Sequence, residues 1–191
     1  MIFSCSGQVR QVLTLTSEKD LIPEGIAIEQ NKIFVSSIFK NKIVEYDMTK
    51  NEVTDFITTD QYGFKTGVGL FAKDGLLFAL CNDSSTASLF VFAIEEKKLI
   101  KTYQLNDSTV HLWNDLAIDD VNQVYIKDTK QNSIYRISYP YDGIQAYFSD
   151  TGIAYPNGIA LSGDNSRLFI ASGQYGVRIL DLSTKKLLNK I

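Results

Sequence analysis

The chain is poor in the groups on which many active sites depend: among 191 residues there are one histidine, two cysteines, one tryptophan and three prolines. A lone histidine, His111, cannot form a cluster of imidazole ligands. Any Ser-His-Asp or Cys-His device would have to use it, and no nucleophile motif lies near it. Two cysteines placed far apart make neither a disulfide framework nor a zinc cluster. Lys and Arg total 19 against 22 Asp and Glu, with no basic run, which argues against nucleic acid or an anionic membrane surface as a partner. No apolar run approaches the roughly 18 residues of a membrane span, so a soluble chain is expected. No segment sustains a 3.6-residue apolar period, so helix should be almost absent, and no linker divides the chain.

What the chain does contain is repetition. The motif Pro156-Asn157-Gly158-Ile159-Ala160-Leu161 matches Trp113-Asn114-Asp115-Leu116-Ala117-Ile118, Gly67-Val68-Gly69-Leu70-Phe71-Ala72 and Pro23-Glu24-Gly25-Ile26-Ala27-Ile28. Counted on the second motif residue, the spacings are 44, 46 and 43, the self-similarity of propeller blades. After each motif come short runs rich in β-branched and aromatic residues, separated by turns such as Gln30-Asn31, Lys40-Asn41, Lys50-Asn51 and Lys73-Asp74-Gly75. Four such strands per repeat make one antiparallel sheet. The expected fold is therefore all-β, a single propeller domain over residues 1–191 with four-stranded blades at about 23–57, 67–103, 113–148 and 156–191. Residues 8–16, QVRQVLTLT, read as the outer strand of another blade, and residues 82–88, NDSSTAS, as a long exposed loop.

Six blades of this period need about 264 residues, so the expectation is an open arc of a six-bladed ring, the alternative being a closed four-bladed protein. An open arc would expose sheet faces and favour self-association. Cys81 ends the apolar run LLFALCN and reads as a small buried hydrophobe. Cys5, in FSCSG, is similar to the lipidated cysteine of a bacterial lipoprotein. That would imply an N-terminal lipid anchor and the cell envelope or periplasm, whereas without it the chain would be cytoplasmic.

Radial packing brings the first strand of every blade to the axis, so the equivalent residues Glu24, Val68, Asn114 and Asn157 should converge there. Three of them carry oxygen, and Val68 should form an apolar wall beside them. One carboxylate and two amide oxygens, completed by water, are a reasonable partial shell for calcium. A bound cation can polarise a lactone or ester carbonyl and activate water, with a nearby carboxylate as base. Asp115 is the acid next to the motif residues that offers itself for that role. Each residue also has a plainer reading: Asn157-Gly158 as a turn, Asp115 as a side chain bonded to backbone before a strand, Glu24 as a solvated carboxylate. Gly67-x-Gly69 lacks the third glycine and the helix of a dinucleotide fingerprint.

PEGIAI, WNDLAID and YPNGIAL, each followed by a strand of the IFVSS or LFIAS type, resemble the SMP-30/gluconolactonase/luciferin-regenerating-enzyme-like family of six-bladed β-propellers, over residues 23–181. The resemblance implies that Glu24 and Asn157 hold a divalent cation, often calcium, and that Asn114 lies at its metal or substrate side. It further implies hydrolysis of small lactones or related esters. The family's general-base Asp would fall after Ile191, and its arginine two residues before the Asn114 place is Leu112 here. His111 is a loop residue offered as a further substrate contact at the channel mouth. The alternative is a non-catalytic propeller binding a ligand or protein on its channel face.

Overall fold

The computed structural model describes residues 15, 18–84, 86–105, 107–138, 140 and 143–188. Residues 8–14, 16 and Cys5, and with them the proposed outer strand and lipid anchor, lie outside this set, as do residues 189–191 at the end of the last expected strand.

Four antiparallel sheets follow one another along the chain. The first contains β1 (Pro23–Glu29), β2 (Lys32–Ser37), β3 (Ile43–Asp47) and β4 (Glu52–Ile57). The second contains β5 (Thr66–Lys73), β6 (Leu76–Asp83), β7 (Thr86–Ala93) and β8 (Lys98–Gln104). The third contains β9 (Trp113–Ile118), β10 (Val124–Asp128), β11 (Ser133–Ile137) and β12 (Ile144–Ser149). The fourth contains β13 (Pro156–Leu161), β14 (Arg167–Ser172), β15 (Gly176–Asp181) and β16 (Lys186–Leu188). Strands within each sheet pair in chain order, so every connection is a hairpin. No α-helix occurs among the described residues, only two three-residue 3-10 turns at Gln61–Gly63 and Thr151–Ile153.

The hairpins close where short polar side chains tolerate a left-handed backbone. Positive φ falls on Asn41, Asn51, Asn122, Asn132 and Asn165, whose side chains can bond locally in that conformation. One connection differs from expectation. NDSSTAS is no long loop, because β6 and β7 remain paired through Asn82↔Ala87 and Asp83↔Thr86, leaving only positions 84 and 85 between the strands. Tertiary bonding explains why a polar stretch stays in the sheet. Asn82 is buried, donates from Nδ2 to Trp113 O (2.8 Å) and accepts from Trp113 N–H at Oδ1 (3.1 Å), tying the second sheet to the third.

Adjacent sheets bury their facing side chains in three successive cores. Phe34, Phe56, Phe64, Phe90 and Phe92 fill the first, Phe78, Leu80, Trp113 and Ile126 the second, Tyr125, Tyr147, Leu168 and Ile170 the third. Cys81 lies in the first core, accepts the Lys65 N–H at 2.9 Å and has its thiol pushed up to about 11 by burial, as an inert hydrophobe should. Inner strands β1, β5, β9 and β13 pack on one another in sequence, and among the described residues the first and fourth sheets share no comparable face. The structure is thus an arc of propeller blades. Leu15 and Leu21 cover part of the free face of the first sheet, against Val35 and Val44. On the fourth sheet Ala160, Ala171 and Val177 are exposed.

Candidate functional site

The site is built by the same irregularity in all four inner strands. In β1 the pairing steps from Pro23↔Ser37 to Ile26↔Val35, so Glu24 and Gly25 together oppose Ser36. Val68 and Gly69 oppose Leu80 in the same way, Asn114 and Asp115 oppose Lys127, and Asn157 and Gly158 oppose Ala171. Two residues against one is a β-bulge, which bends a strand and re-aims its side chains. Here it turns the motif residues toward the axis.

Beside that axis the four inner strands border an open cavity of about 320 Å³ lined by Glu24, Gly25, Ile26, Gly69, Leu70, Asn114, Asp115, Asn157 and Gly158. Glu24, Asn114 and Asn157 therefore reach one space from three sheets. Asn114 Nδ2 donates to Asn157 Oδ1 at 2.5 Å, joining the third and fourth sheets across the cavity rim. Val68 departs from its expected place as an apolar wall: its side chain is buried with Phe78 and Trp113, and Gly69 and Leu70 line the cavity instead. An isopropyl group gains more by joining that core than by facing a wet cavity.

Asp115 fills a position that is glycine in the other three sheets. Its Oδ1 accepts the Leu116 N–H (2.9 Å) and its Oδ2 the Ile159 N–H (2.8 Å), so it braces the third sheet against the fourth. Burial raises its pKa above the ordinary carboxylate value, against the lowering effect of those two bonds and of Lys127. Glu24 is raised as well, by partial burial first and by the Asp115 charge second.

Beneath these acids lies a residue that the sequence reading passed over. Lys127 is fully buried and directly opposes Asp115 in the β9–β10 register. Its Nζ donates to Pro156 O (2.8 Å) and to Thr129 Oγ1 (3.2 Å), while Thr129 Oγ1 itself donates to Pro156 O (2.7 Å). Burial lowers the ammonium pKa to about 8 despite the pull of Asp115, Glu24 and Asp128. Aligning the second strands of the repeats would have revealed it, because a lysine stands where Ser36, Leu80 and Ala171 stand in the others.

His111 is absent from the cavity lining. It is buried in the third blade, with Nδ1 2.6 Å from Asp128 Oδ2, Nε2 3.0 Å from Asp107 Oδ1, and its ring against Trp113 and Tyr135. Its role is that of a buried, doubly bonded histidine. Two carboxylates draw it away from the axis.

Among solved structures the chain is similar to a chain of the nidogen/laminin complex, with a TM-score of 0.72 and 17% identity over 87% of this chain and 62% of that one. It is similar to virginiamycin B lyase from Staphylococcus aureus, with a TM-score of 0.71 and 18% identity over 90% and 56% of the two chains. The fold is that of a β-propeller. A computationally designed protein, Ika4, is similar over 92% of this chain and 99% of its own, with a TM-score of 0.67 and 10% identity. The chain thus spans less than two thirds of the two natural propellers and nearly all of the designed one. No protein-family model and no curated protein matches the sequence. At these identities the likeness concerns the propeller scaffold alone.

Proposed function

We propose that the axial cavity is a divalent-cation-dependent site for hydrolysis of small lactones or related esters, as in the SMP-30/gluconolactonase-like propellers that the motifs resemble. The observation carrying this reading is the meeting of Glu24, Asn114 and Asn157, from three sheets, on one cavity. Its side-chain donors are all oxygen, with no Cys or His, a set that suits a hard cation such as calcium. Glu24 would supply the charged ligand, and Asn114 and Asn157 neutral oxygens once the Asn114 amide turns its Oδ1 inward. Such a cation, when bound, polarises a carbonyl and lowers the pKa of a water.

This chain's own residues do the rest. Asp115 accepts one backbone hydrogen bond on each oxygen and retains a lone pair on each, so it can still take a proton from a water in the cavity. Its raised pKa makes it a stronger base than an exposed aspartate. Gly25 and Gly69 let neighbouring inner strands close on the cavity, since a Cβ at either would meet backbone within 3.0 Å.

A second reading, a propeller that binds a ligand at this face without turning it over, is favoured by the commitment of both Asp115 oxygens to backbone and by the absence, among the described residues, of any group of three His, Cys, Asp or Glu able to hold a metal. Thermal unfolding with added calcium, followed by a panel of small lactones and esters, separates the two. At about ten times the Kd, calcium should stabilise the parent by about 1.4 kcal/mol, roughly 3–6 °C, with the shift lost in Glu24→Gln and reduced in Asn157→Ala. Because both acids titrate above their ordinary values, the response should fade early on acidification. An unchanged parent midpoint, or equal shifts in all three proteins, removes the cation. A shift without turnover leaves the binding scaffold.

A further inference from the structure

Three sheets meet the inner-strand bulge with a small or apolar residue, Ser36, Leu80 or Ala171, and have glycine at the second bulge position. The third sheet alone places an acid and a base there, Asp115, half-buried at the cavity, and Lys127, fully buried. We propose that Lys127 is a resident counter-cation of the axial cavity, neutralising Asp115 from below and so setting how much negative charge an incoming divalent cation meets. This rests on the cation reading above.

The geometry supports a charge-setting role over a merely mechanical one. Lys127 Nζ bonds to neutral oxygens, Pro156 O and Thr129 Oγ1, while its partner across the β9–β10 register is Asp115, which lines the cavity together with Glu24. Asp128 is already engaged by His111 and by three backbone N–H groups, which leaves Asp115 and Glu24 as the acids that the ammonium balances toward the cavity. With Lys127 in place, the trio Glu24, Asp115 and Lys127 carries one net negative charge. Without it, two negative charges face the ligand. Pro156 O does not depend on the ammonium for a partner, since Thr129 Oγ1 donates to it as well. Replacing Lys127 by an apolar chain of similar length therefore changes the field more than the framework.

The test is a charge cycle read by calorimetric calcium titration of the parent, Lys127→Met, Asp115→Asn and the double variant. Removing one charge from the groups beside the cavity should change the affinity for a divalent ion about tenfold or more. The expected result is about tenfold tighter binding in Lys127→Met, about tenfold weaker binding in Asp115→Asn, and near-parental binding in the double variant. A strut that only held Pro156 and Asn157 would give weaker binding when Lys127 is removed. Equal or weaker calcium binding in Lys127→Met than in a parent that binds calcium overturns the counter-cation role and leaves the cation site standing. Binding that emerges only in Lys127→Met supports the counter-cation role and overturns the native cation site. Absence of binding in both overturns the two together. Should Lys127→Met fail to fold, Asp115→Asn decides: unchanged or tighter binding there overturns the proposal.

Discussion

Gly25→Ala should lose about 3 kcal/mol of stability or more, a fall in melting midpoint of roughly 6–12 °C for a chain of this size. A Cβ built on Gly25 lies 2.1 Å from Val68 O, 2.8 Å from Ser36 Oγ and 3.0 Å from Leu70 N. Two of these atoms are backbone of the next sheet, so no rotamer change can relieve the clash. The third makes it worse. Ser36 Oγ accepts the Gly25 N–H at 2.9 Å and donates to Val68 O at 2.6 Å, forming the stitch between first and second inner strands. A methyl group there must push the strands apart, break that stitch and widen the cavity that Glu24 enters. Gly163→Ala is the control, because a Cβ at Gly163 meets nothing within 4 Å, and its change should stay within about 0.5 kcal/mol. Urea unfolding of both variants is the measurement. A Gly25→Ala loss below about 1 kcal/mol, or equal losses at the two sites, would show that the inner strands are not in close contact.

Asp128→Ala should cost about 3–5 kcal/mol, because it removes a fully buried carboxylate that is the shared acceptor of a hydrogen-bond network. Asp128 accepts from His111 Nδ1 (2.6 Å) and from the backbone N–H groups of Leu112 (3.2 Å), Lys130 (2.9 Å) and Gln131 (3.2 Å). Alanine would leave these donors and the nearby Lys127 ammonium without that carboxylate. The network also predicts a pH dependence. Burial lowers the His111 pKa, but hydrogen bonds and charge from Asp128 and Asp107 outweigh it, so the folded value lies above the ordinary 6.5. A raised histidine contributes stability that is complete below its unfolded pKa and disappears as pH rises through the folded one. The parent should therefore lose stability across that interval, and Asp128→Ala should lose most of the slope. Chemical denaturation at a series of pH values checks both parts. A parallel pH dependence in parent and variant would mean that His111 does not titrate against Asp128.

Lys127 carries the opposite linkage. Its ammonium is held down at about 8 in the folded chain, so it binds fewer protons there than when unfolded, and stability should rise as pH climbs from about 8 towards the ordinary lysine value of 10.5. The two slopes have opposite signs, so variants at each residue should change the pH profile in opposite directions.

Much of the fold was readable because it repeats. Spacings of 44, 46 and 43 residues, alternating apolar runs and Asn-rich turns each follow from local rules, and local rules leave a trace in composition. The common axis of Glu24, Asn114 and Asn157 was readable for the same reason, since equivalent places in radially packed blades converge. Asn82 reads as loop because it is a polar residue among serines, and only the facing Trp113 backbone makes its burial favourable. His111 reads as a loop residue open to the channel mouth, because nothing within a few residues announces Asp128 as its partner, seventeen positions on.

The amino-acid sequence by itself determined the blades, their number in this chain and which motif positions share a radius. Periodicity and turn chemistry act over a few residues, and the chain states them directly. Only the tertiary structure decided which charges share the cavity. Lys127 meets Asp115 because a bulge places two residues of β9 opposite one of β10, and Asp115 reaches Ile159 because the fourth sheet packs beside the third. Burial then turns an ordinary lysine and an ordinary aspartate into a pair whose proton affinities are both displaced. Desolvation and Coulomb interaction depend on enclosure and distance, which sequence spacing does not encode.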